Sequence, residues 1–558
     1  MKKRKLILLI SLFSFGTLNG CSLGSSSSSC DDMFCEEPIS STNTNKIVLE
    51  EYKEENYSFD DSVSNEQGSV SYEIFVRSFY DTDFDGIGDF NGVKEKLPYL
   101  KELGIKTVWL MPIMPSISYH GYDVVDYYSV HSDYGTMQDF ENLLKEASNN
   151  NIDIMIDIVF NHSSIENEWF KQSYEDYINN NEQEGSKKDW YCWSEKSLNG
   201  YRPYKNNSYY EGRFDSSMPD FNTKNPEVRE EMVKILKYWV DKGVKGFRFD
   251  AVKYFDYEVT HYNVEFLSYL ANTIKEYNKD IYFVGECWDS IEVITNYYKS
   301  SFDSFFKFNN SLEGYGEDAI VGQVKGLRKS NSFGNLIEKQ EKNMKANNPD
   351  GYSSYFLTNH DMDRASNSLI ANSARMAASL TYLLPGTPYM YYGEEILLKG
   401  KRITSPDDAS DARRRLPMIW DGTNSDGQCG FPETNRMDLA TNEQVSDGVK
   451  QAMSQNYSVW NHYKKVINIR NKYPFIKKSI FSNETEKLNT EYEHVLAYKL
   501  SLGDEYIVVI HNFEADNVEV DVSSLGTEIL DEVSCSRLTP VLENGKLKIG
   551  RMSTVILK

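Results

Sequence analysis

Short runs of β-branched and aromatic residues alternate with amphipathic segments of helical period over most of this chain. The first repeat consists of a predicted strand at residues 72–76, a polar loop, a predicted helix over residues 91–103 and a second strand at residues 106–110. Gly104 follows as the predicted end of the helix, and one helix face carries Val93, Leu97, Leu100 and Leu103. This order implies parallel strands joined by a right-handed crossover.

The same pattern continues and predicts eight strands in all. They lie at residues 72–76, 106–110, 152–159, 244–250, 282–286, 304–308, 355–358 and 389–391. Eight strands alternating with helices indicate an α/β fold, a TIM (β/α)8 barrel over residues 68–475. Functional side chains in such a barrel lie where the strands end, at their carboxyl-terminal edge.

Two intervals do not follow the barrel pattern. Residues 162–222 are rich in Asn, Tyr, Trp and Gly and are too long for a strand-to-helix loop, so they predict an irregular lobe inserted after the third strand. Residues 476–558 contain alternating apolar and polar stretches and predict a C-terminal antiparallel β-sandwich. The aromatic side chains of the lobe could form its own core or bind a ligand at its surface.

The N-terminus predicts export. Residues 1–21 combine a basic start with an apolar stretch that is too short to span a membrane, and they close on Gly20 and Cys21. This ending resembles a bacterial lipobox, which implies cleavage before Cys21 and lipid attachment to its sulfur. The Ser-rich residues 22–67 would then be a flexible tether on the outer face of the cell membrane. The alternative is an ordinary secretory peptide with an incidental cysteine.

Charge and cysteine content narrow the possible partners. The formal net charge of −24 argues against nucleic acid and against direct binding to anionic lipids, so any membrane contact is expected through a lipid anchor alone. The seven cysteines show no metal-binding spacing and are too sparse for a disulfide scaffold, although Cys30 and Cys35 could pair. No pattern in the sequence predicts an oligomeric state.

Ionisable residues cluster at the predicted strand ends. Asp250 ends the fourth strand, Glu286 the fifth and Asp361 follows the seventh, and nearby positions hold Asp157, Arg248, His162 and His360. A single strand carboxylate is usually part of a structural salt bridge, but several acids at one barrel mouth are costly to keep unless they are used. Two carboxyl groups, one to attack and one to protonate, are what glycosidic bond cleavage requires.

Four strings resemble, in order, the signature regions of glycoside hydrolase family 13, the α-amylase family. They are residues 157–162 (DIVFNH), 246–250 (GFRFD), 284–286 (VGE) and 357–361 (LTNHD), within a resemblance that covers roughly residues 71–474. Further matches lie at residues 120–123 (HGYD), 218–222 (MPDFN), 384–388 (LPGTP) and 391–394 (YYGE).

The resemblance implies a role for each matching residue. Asp250 would be the nucleophile, Glu286 the general acid and base, and Asp361 the carboxylate that supports the transition state. Arg248 would orient the nucleophile and Tyr122 would stack on the sugar. Hydroxyl contacts are implied for His162 and His360, and support of these groups for His120 and Asp157.

An acidic loop predicts a calcium site. Residues 81–89 (DTDFDGIGD) place carboxylates at alternating positions with Gly86 at the sixth, as in loops that wrap hard cations. The same string occurs in the family, which implies Ca²⁺ bound by Asp81, Asp83, Asp85, Asp89 and the carbonyl of Ile87. The alternative is a solvated acidic turn. Many family members hold a second Ca²⁺ through residues that match Asn161 and Asp220, but Lys253-Tyr254 departs from the usual pattern, so that site is left open here.

The sequence favours one activity within the family and leaves others open. The string at residues 251–253 (AVK) and the surface tether favour retaining endo-hydrolysis of α-1,4-glucosidic bonds in starch and related α-glucans. Neopullulanase or oligo-1,6-glucosidase activity is the nearest alternative. A surface lipoprotein that only binds α-glucan is a different class, and its expected mark is a broken catalytic triad.

Overall fold

The structure is a computed structural model that describes residues 47, 49, 70–257, 259–312, 319–402, 408–431 and 448–558. The predicted export signal, Cys21 and the tether lie outside these residues, apart from residues 47 and 49. Nineteen strands occur in the described part of the chain. They are β1 Ser71–Ile74, β2 Thr107–Leu110, β3 Asp153–Ile158, β4 Trp193–Ser194, β5 Tyr201–Pro203, β6 Tyr209–Glu211, β7 Gly246–Phe249, β8 Tyr282–Gly285, β9 Ser304–Phe306, β10 Tyr352–Ser354, β11 Tyr389–Tyr391, β12 Ile480–Asn483, β13 Val495–Leu502, β14 Glu505–Asn512, β15 Val518–Asp521, β16 Ile529–Ser534, β17 Val541–Glu543, β18 Lys546–Ile549 and β19 Ser553–Leu557.

Helices connect the barrel strands and cover their outer surface. They are α1 Phe90–Glu95, α2 Leu97–Leu103, α3 Met137–Asn149, α4 Glu168–Ile178, α5 Pro226–Lys242, α6 Thr260–Tyr277, α7 Ile291–Tyr297, α8 Ile320–Val324, α9 Ser330–Asn347, α10 Ala371–Leu383, α11 Val449–Ser454 and α12 Val459–Lys472. Among the helices of the described ranges, none is both long enough and apolar enough to cross a membrane.

Eight parallel strands form the barrel, in the order β10-β9-β8-β7-β3-β2-β1-β11. A parallel bridge between Phe356 and Tyr389 joins the two ends of this sheet. Gly386 permits that closure: it has φ of +95°, and a Cβ there would lie 1.9 Å from the carbonyl oxygen of Ser353. The interior is filled by large side chains, among them Trp109, Met155, Phe306, Phe356 and Tyr389. The predicted TIM barrel is confirmed.

Two predicted elements differ from those observed. Strand seven was expected at residues 355–358 but lies at Tyr352–Ser354. Residues 355–358 are buried, which explains their apolar character, but they do not form a continuous strand, and Phe356 makes an isolated bridge with Tyr389. The helix expected over residues 91–103 is two helices, which break at Lys96 just before Pro98 in the first turn of α2. Proline has no N–H to continue the hydrogen-bond series of α1. Gly104 ends α2 in the left-handed conformation, as predicted.

The inserted lobe consists of α4 and the small sheet β4-β6-β5. Its aromatic side chains pack on one another: Phe170 lies 5.2 Å from Trp193 and 5.0 Å from Tyr210, measured between ring centroids. Trp190, Tyr191 and Tyr210 are buried. Of the two uses considered for these side chains, the described residues support a core of the lobe.

The C-terminal region contains two antiparallel sheets, β12-β13-β14-β19-β16 and β15-β18-β17. A separate apolar cluster that includes Val508, Val520, Leu547 and Leu557 packs between them. The opposite face of the larger sheet, with side chains such as Tyr498 and Val509, joins the core that also contains the barrel helices. The larger sheet therefore covers one flank of the barrel, and the predicted sandwich is confirmed.

Candidate active site

The predicted ionisable residues meet at the carboxyl-terminal edge of the barrel. Asp157 lies in β3 and pairs in register with Arg248 of β7, the neighbouring strand. Asp250 and Glu286 directly follow β7 and β8, which are also neighbours. Asp361 lies in the loop after β10. Parallel strands that end at one edge thus bring together residues that are far apart in sequence.

The guanidinium of Arg248 holds three of these carboxyl groups. Its Nη1 donates to Asp157 Oδ1 at 2.9 Å and to Asp250 Oδ1 at 2.7 Å, and its Nη2 lies 3.0 Å from Glu286 Oε2. Arg248 is fully buried and its guanidinium carbon lies 5.2 Å from the ring centroid of Trp109. A planar group with several fixed donors can hold carboxylates at set angles, which a lysine could not do.

Burial raises the pKa of each of these acids. Removal from water raises the pKa of Glu286 to about 7, with a smaller contribution from the charge of Asp250, although Arg248 opposes the shift. Burial also raises the pKa of Asp157 to about 6 and that of Asp250, again against Arg248. Asp250 accepts a hydrogen bond from Arg248, as a carboxylate does. The carboxyl group of Glu286 is protonated about half of the time at neutral pH. One carboxylate and one carboxylic acid are the pair that acid-assisted displacement needs.

Asp361 is ionised by its cationic neighbours. Burial alone would raise its pKa, but attraction to His360, 3.0 Å away, and to Arg415 holds it well below the usual range. Arg415 donates from Nη2 to Asp361 Oδ1 at 2.9 Å, and its Nε donates to the carbonyl of His360. Arg415 was not predicted. It lies after the last barrel strand, β11, and does not follow directly on a strand, which was the feature used to select functional residues.

Tyr122 and the other two histidines complete the wall of the site. The hydroxyl of Tyr122 donates to Asp157 Oδ2 at 3.0 Å, and its ring stacks 5.5 Å from that of His360. His162 is buried, and its Nε2 has no hydrogen-bond partner among the described residues. Burial lowers the pKa of His162 and that of His120 to about 4, so both are neutral. His120 Nδ1 accepts from the backbone N–H of Tyr122, which fits a supporting position.

Ala251 has a strained backbone that the sequence did not reveal. It adopts φ of +48° and ψ of 40°, a left-handed conformation that residues with a Cβ rarely take. In this conformation its N–H donates to Glu286 Oε2 at 2.9 Å. The residue after Asp250 therefore fixes the carboxyl group of Glu286.

Comparison with known proteins gives the family of the chain. The sequence pattern of "Alpha amylase, catalytic domain" matches residues 73–479, which is most of the chain. The chain belongs to the α-amylase family. The four segments that resemble the signature regions of this family are the ones whose ionisable residues the barrel brings together.

Individual members of the α-amylase family are similar along nearly their whole length. Alpha-amylase 3 of Dictyoglomus thermophilum is 37% identical over 498 residues, which cover 88% of this chain and 93% of that protein. Oligo-1,6-glucosidase of Bacillus cereus is 28% identical, over 88% of this chain and 97% of that protein. The solved structure of Eubacterium rectale Amy13B has 34% identity and a TM-score of 0.82, and the match covers 89% of this chain and 96% of that chain.

The acidic loop of this family member brings together three of its four aspartates. Ligand oxygens of Asp81, Asp83 and Asp89 lie within 4.8 Å of one another. Asp85 lies outside this group, and its Oδ1 accepts from the N–H of Ile87 at 2.7 Å. Asp81 and Asp89 are buried, and burial raises the pKa of Asp81. Three carboxylates at this spacing, two of them buried and Asp83 exposed, fit a hard divalent cation.

Asn161 and Asp220, the residues that match a second ion site of the family, contact each other. Asn161 Nδ2 donates to Asp220 Oδ1 at 3.1 Å, and the backbone N–H of Arg213 donates to Asp220 Oδ2. Burial raises the pKa of Asp220 to about 7. These contacts link the lobe to the end of β3, and Oδ1 of Asn161 is buried with no hydrogen-bond partner among the described residues.

We expect Glu286 to titrate near pH 7 in the free protein, against about 4.3 for an unperturbed glutamate. Replacement of Asp250 by Asn removes a negative neighbour and should lower that pKa. The measurement is an NMR titration of side-chain ¹³C-labelled glutamate, with Glu286→Gln used to assign the signal. Asp504→Asn, in the exposed turn between β13 and β14, is the control and should leave the titration unchanged. Titration of Glu286 below pH 5 in the unaltered protein would contradict this account.

Proposed function

We propose that the protein is a retaining endo-hydrolase of α-1,4-glucosidic bonds in starch and related α-glucans. The observation that carries the proposal is the shared contact of Asp250 and Glu286 with the two terminal nitrogens of Arg248. Two carboxyl groups held on one guanidinium favour the short separation of about 5 Å that retaining enzymes use. Inverting enzymes need a separation of roughly 6.5–9.5 Å to admit water between the carboxyl groups and the sugar.

The reaction follows from the roles of these groups. Asp250 attacks the anomeric carbon, the bond to the leaving oxygen breaks, and Glu286 transfers its proton to that oxygen. A covalent glycosyl-enzyme intermediate results, and the anomeric configuration is inverted once. Glu286, now ionised, removes a proton from water, and the water oxygen displaces Asp250 from the sugar. The second inversion restores the original configuration.

Neighbouring side chains stabilise the charge that develops on the sugar. Asp361, ionised beside His360 and Arg415, would accept hydrogen bonds from sugar hydroxyls as the ring gains oxocarbenium character. The unpartnered Nε2 of His162 is available to a hydroxyl, and Tyr122 offers a ring for stacking. These contacts would select a glucopyranose ring before the bond that is cut.

The choice of polymeric α-1,4 substrate rests on similarity and on the predicted export. The chain is more similar to the alpha-amylase of D. thermophilum than to the oligo-1,6-glucosidase of B. cereus, at 37% against 28% identity. A protein held outside the cell meets polymers that are too large to import. Cleavage of pullulan or of α-1,6 bonds is the nearest alternative. The pure glucan-binding class is disfavoured because Asp250, Glu286 and Asp361 are all present.

Incubation of soluble starch, pullulan and isomaltose with the protein tests the activity. We expect short maltooligosaccharides from starch, and a loss of at least about 10⁴-fold in rate with Asp250→Asn, because nucleophile removal leaves only binding contributions. Asp504→Asn is the matched control and should retain full activity. Panose from pullulan or glucose from isomaltose would move the assignment to the alternatives. Retention of starch without turnover of any substrate would refute hydrolysis.

We also propose that residues 81–89 bind Ca²⁺. The close oxygens of Asp81, Asp83 and Asp89 support this proposal, and an ion there would relieve the repulsion among them. Excess Ca²⁺ at about 100 times its Kd should stabilise the fold by about 2.7 kcal/mol, and chelation should lower the Tm accordingly. Asp81→Asn should abolish the Ca²⁺-dependent part of the Tm, whereas Asp504→Asn should keep it. A Tm that is independent of Ca²⁺ in the unaltered protein would rule the site out.

Finally, we propose that the mature protein is held at the outer face of the cell membrane by lipid on Cys21. The basic and apolar residues 1–21 and the small residue before Cys21 support this location. In a bacterial host, labelled fatty acid should enter the protein, and Cys21→Ser should release it from the membrane fraction in active form. Incorporation of label into the Cys21→Ser protein would exclude this anchor, and release of the unaltered protein would favour an ordinary secretory peptide.

A further inference from the structure

Glu73 contacts the active site from behind and was not among the residues that the sequence singled out. It lies in β1 and is 1% exposed, and its Oε1 is 2.5 Å from Nδ1 of His360. His360 itself has no exposed surface. A buried carboxylate on a buried imidazole is costly unless the two share a proton or carry opposite charges.

The hydrogen-bond partners of His360 determine its protonation. Tyr122 has one hydroxyl proton, and its contact with Asp157 Oδ2 uses that proton. Asp157 in turn accepts twice from Arg248, as a carboxylate does. The oxygen of Tyr122, 2.6 Å from Nε2 of His360, must therefore accept from that nitrogen. Nδ1 meanwhile faces the carboxyl oxygen of Glu73, so both ring nitrogens of His360 act as donors.

The remaining charged groups around the ring agree with an imidazolium. Asp361 Oδ2 lies 3.0 Å from Nε2 of His360. Arg415 donates to the backbone carbonyl of His360 and not to its ring. Trp109 presents its ring at 75° to the imidazole, with centroids 5.7 Å apart. Behind Glu73, burial raises the pKa of Glu394 to about 8, so this neighbour is largely neutral and its carboxyl oxygen accepts from Thr358.

We propose that Glu73 is a positioning residue of the active site, which fixes the ring of His360 and keeps it doubly protonated so that Nε2–H faces Asp361 and Tyr122. This inference deepens the proposed hydrolysis and rests on it for its catalytic meaning. His360 then serves as a fixed cation beside the carboxylate that supports the transition state. The chain of contacts runs from β1 through His360 to the wall of the sugar site, so Glu73 acts without touching substrate.

The charge of Glu73, and not only its shape, is required by this arrangement. Burial alone would lower the pKa of His360, but attraction to Asp361 and Glu73 raises it to about 9. Glutamine at position 73 could still accept from Nδ1 through its amide oxygen, but it would supply no charge. His360 should then lose its proton at a lower pH, and each unit of pH above the new value would remove a further factor of about ten in the active form.

The first experiment compares pH profiles of kcat/KM for the unaltered protein and for Glu73→Gln. Between pH 7 and 8 the unaltered protein should lose activity with a slope approaching −1 through Glu286 alone, because His360 loses its proton only near pH 9. Glu73→Gln should show a steeper fall, approaching −2, because His360 deprotonates in the same range. Glu395→Gln is the matched control: Glu395 is buried beside the same strand and accepts from Tyr72 and Tyr99, but it does not contact His360. It should keep the slope of −1.

A loss in Glu73→Gln that is equal at every pH would mean a merely structural role and would overturn the proposal. The second measurement needs no activity. Side-chain ¹⁵N NMR of histidine in the free protein, with His360→Asn for assignment, should show His360 doubly protonated up to about pH 8. Deprotonation of His360 below pH 7 in the unaltered protein would equally refute the inference. If the unaltered protein cleaves no glucan, the proposed function fails, while the same NMR titration of Glu73→Gln still tests the role of Glu73: the pKa of His360 should fall, and an unchanged pKa would refute the inference.

Discussion

A single buried guanidinium organises the site, because Arg248 must be neutralised where no water can reach it. Three carboxyl groups from three neighbouring strands do so, and the geometry of the planar donor fixes their positions. The positive charge also limits how far burial can raise the pKa of each acid. Without this charge the acids would protonate together, and the division into one attacking and one donating group would be lost. The strand register that places Asp157 opposite Arg248 is therefore as much a part of the chemistry as the side chains.

A second charged group balances the first on the other side of the site. His360, Arg415 and Asp361 form a network in which the cations keep Asp361 ionised. The two networks meet at Tyr122, whose hydroxyl contacts both Asp157 and His360. The positions of acids and bases around the cleft are thus coupled through one phenol. A change on one side should be felt on the other even where the two side chains share no contact.

The strand ends were predictable from the sequence because each combines a buried run with a sudden change to ionisable residues. That signal located Asp157, Arg248, Asp250 and Glu286, and the barrel order followed from the strand and helix alternation. It failed for strand seven, where burial of residues 355–358 mimics a strand that actually ends at Ser354. Contacts between distant segments produce no recognisable sequence pattern. The contacts of Arg415 with Asp361 and of Glu73 with His360 depend on how the loops and strands pack in three dimensions.

The left-handed backbone of Ala251 restricts which sequences this position can accept during evolution. Glycine would adopt φ of +48° without strain, but it would let the peptide turn away from Glu286. A β-branched residue would resist the conformation altogether. Alanine has the smallest side chain that still restricts the backbone, so few other amino acids should be accepted at this position. The residue next to Asp250 must therefore be small enough to adopt the left-handed conformation and restricted enough to keep its N–H directed at Glu286.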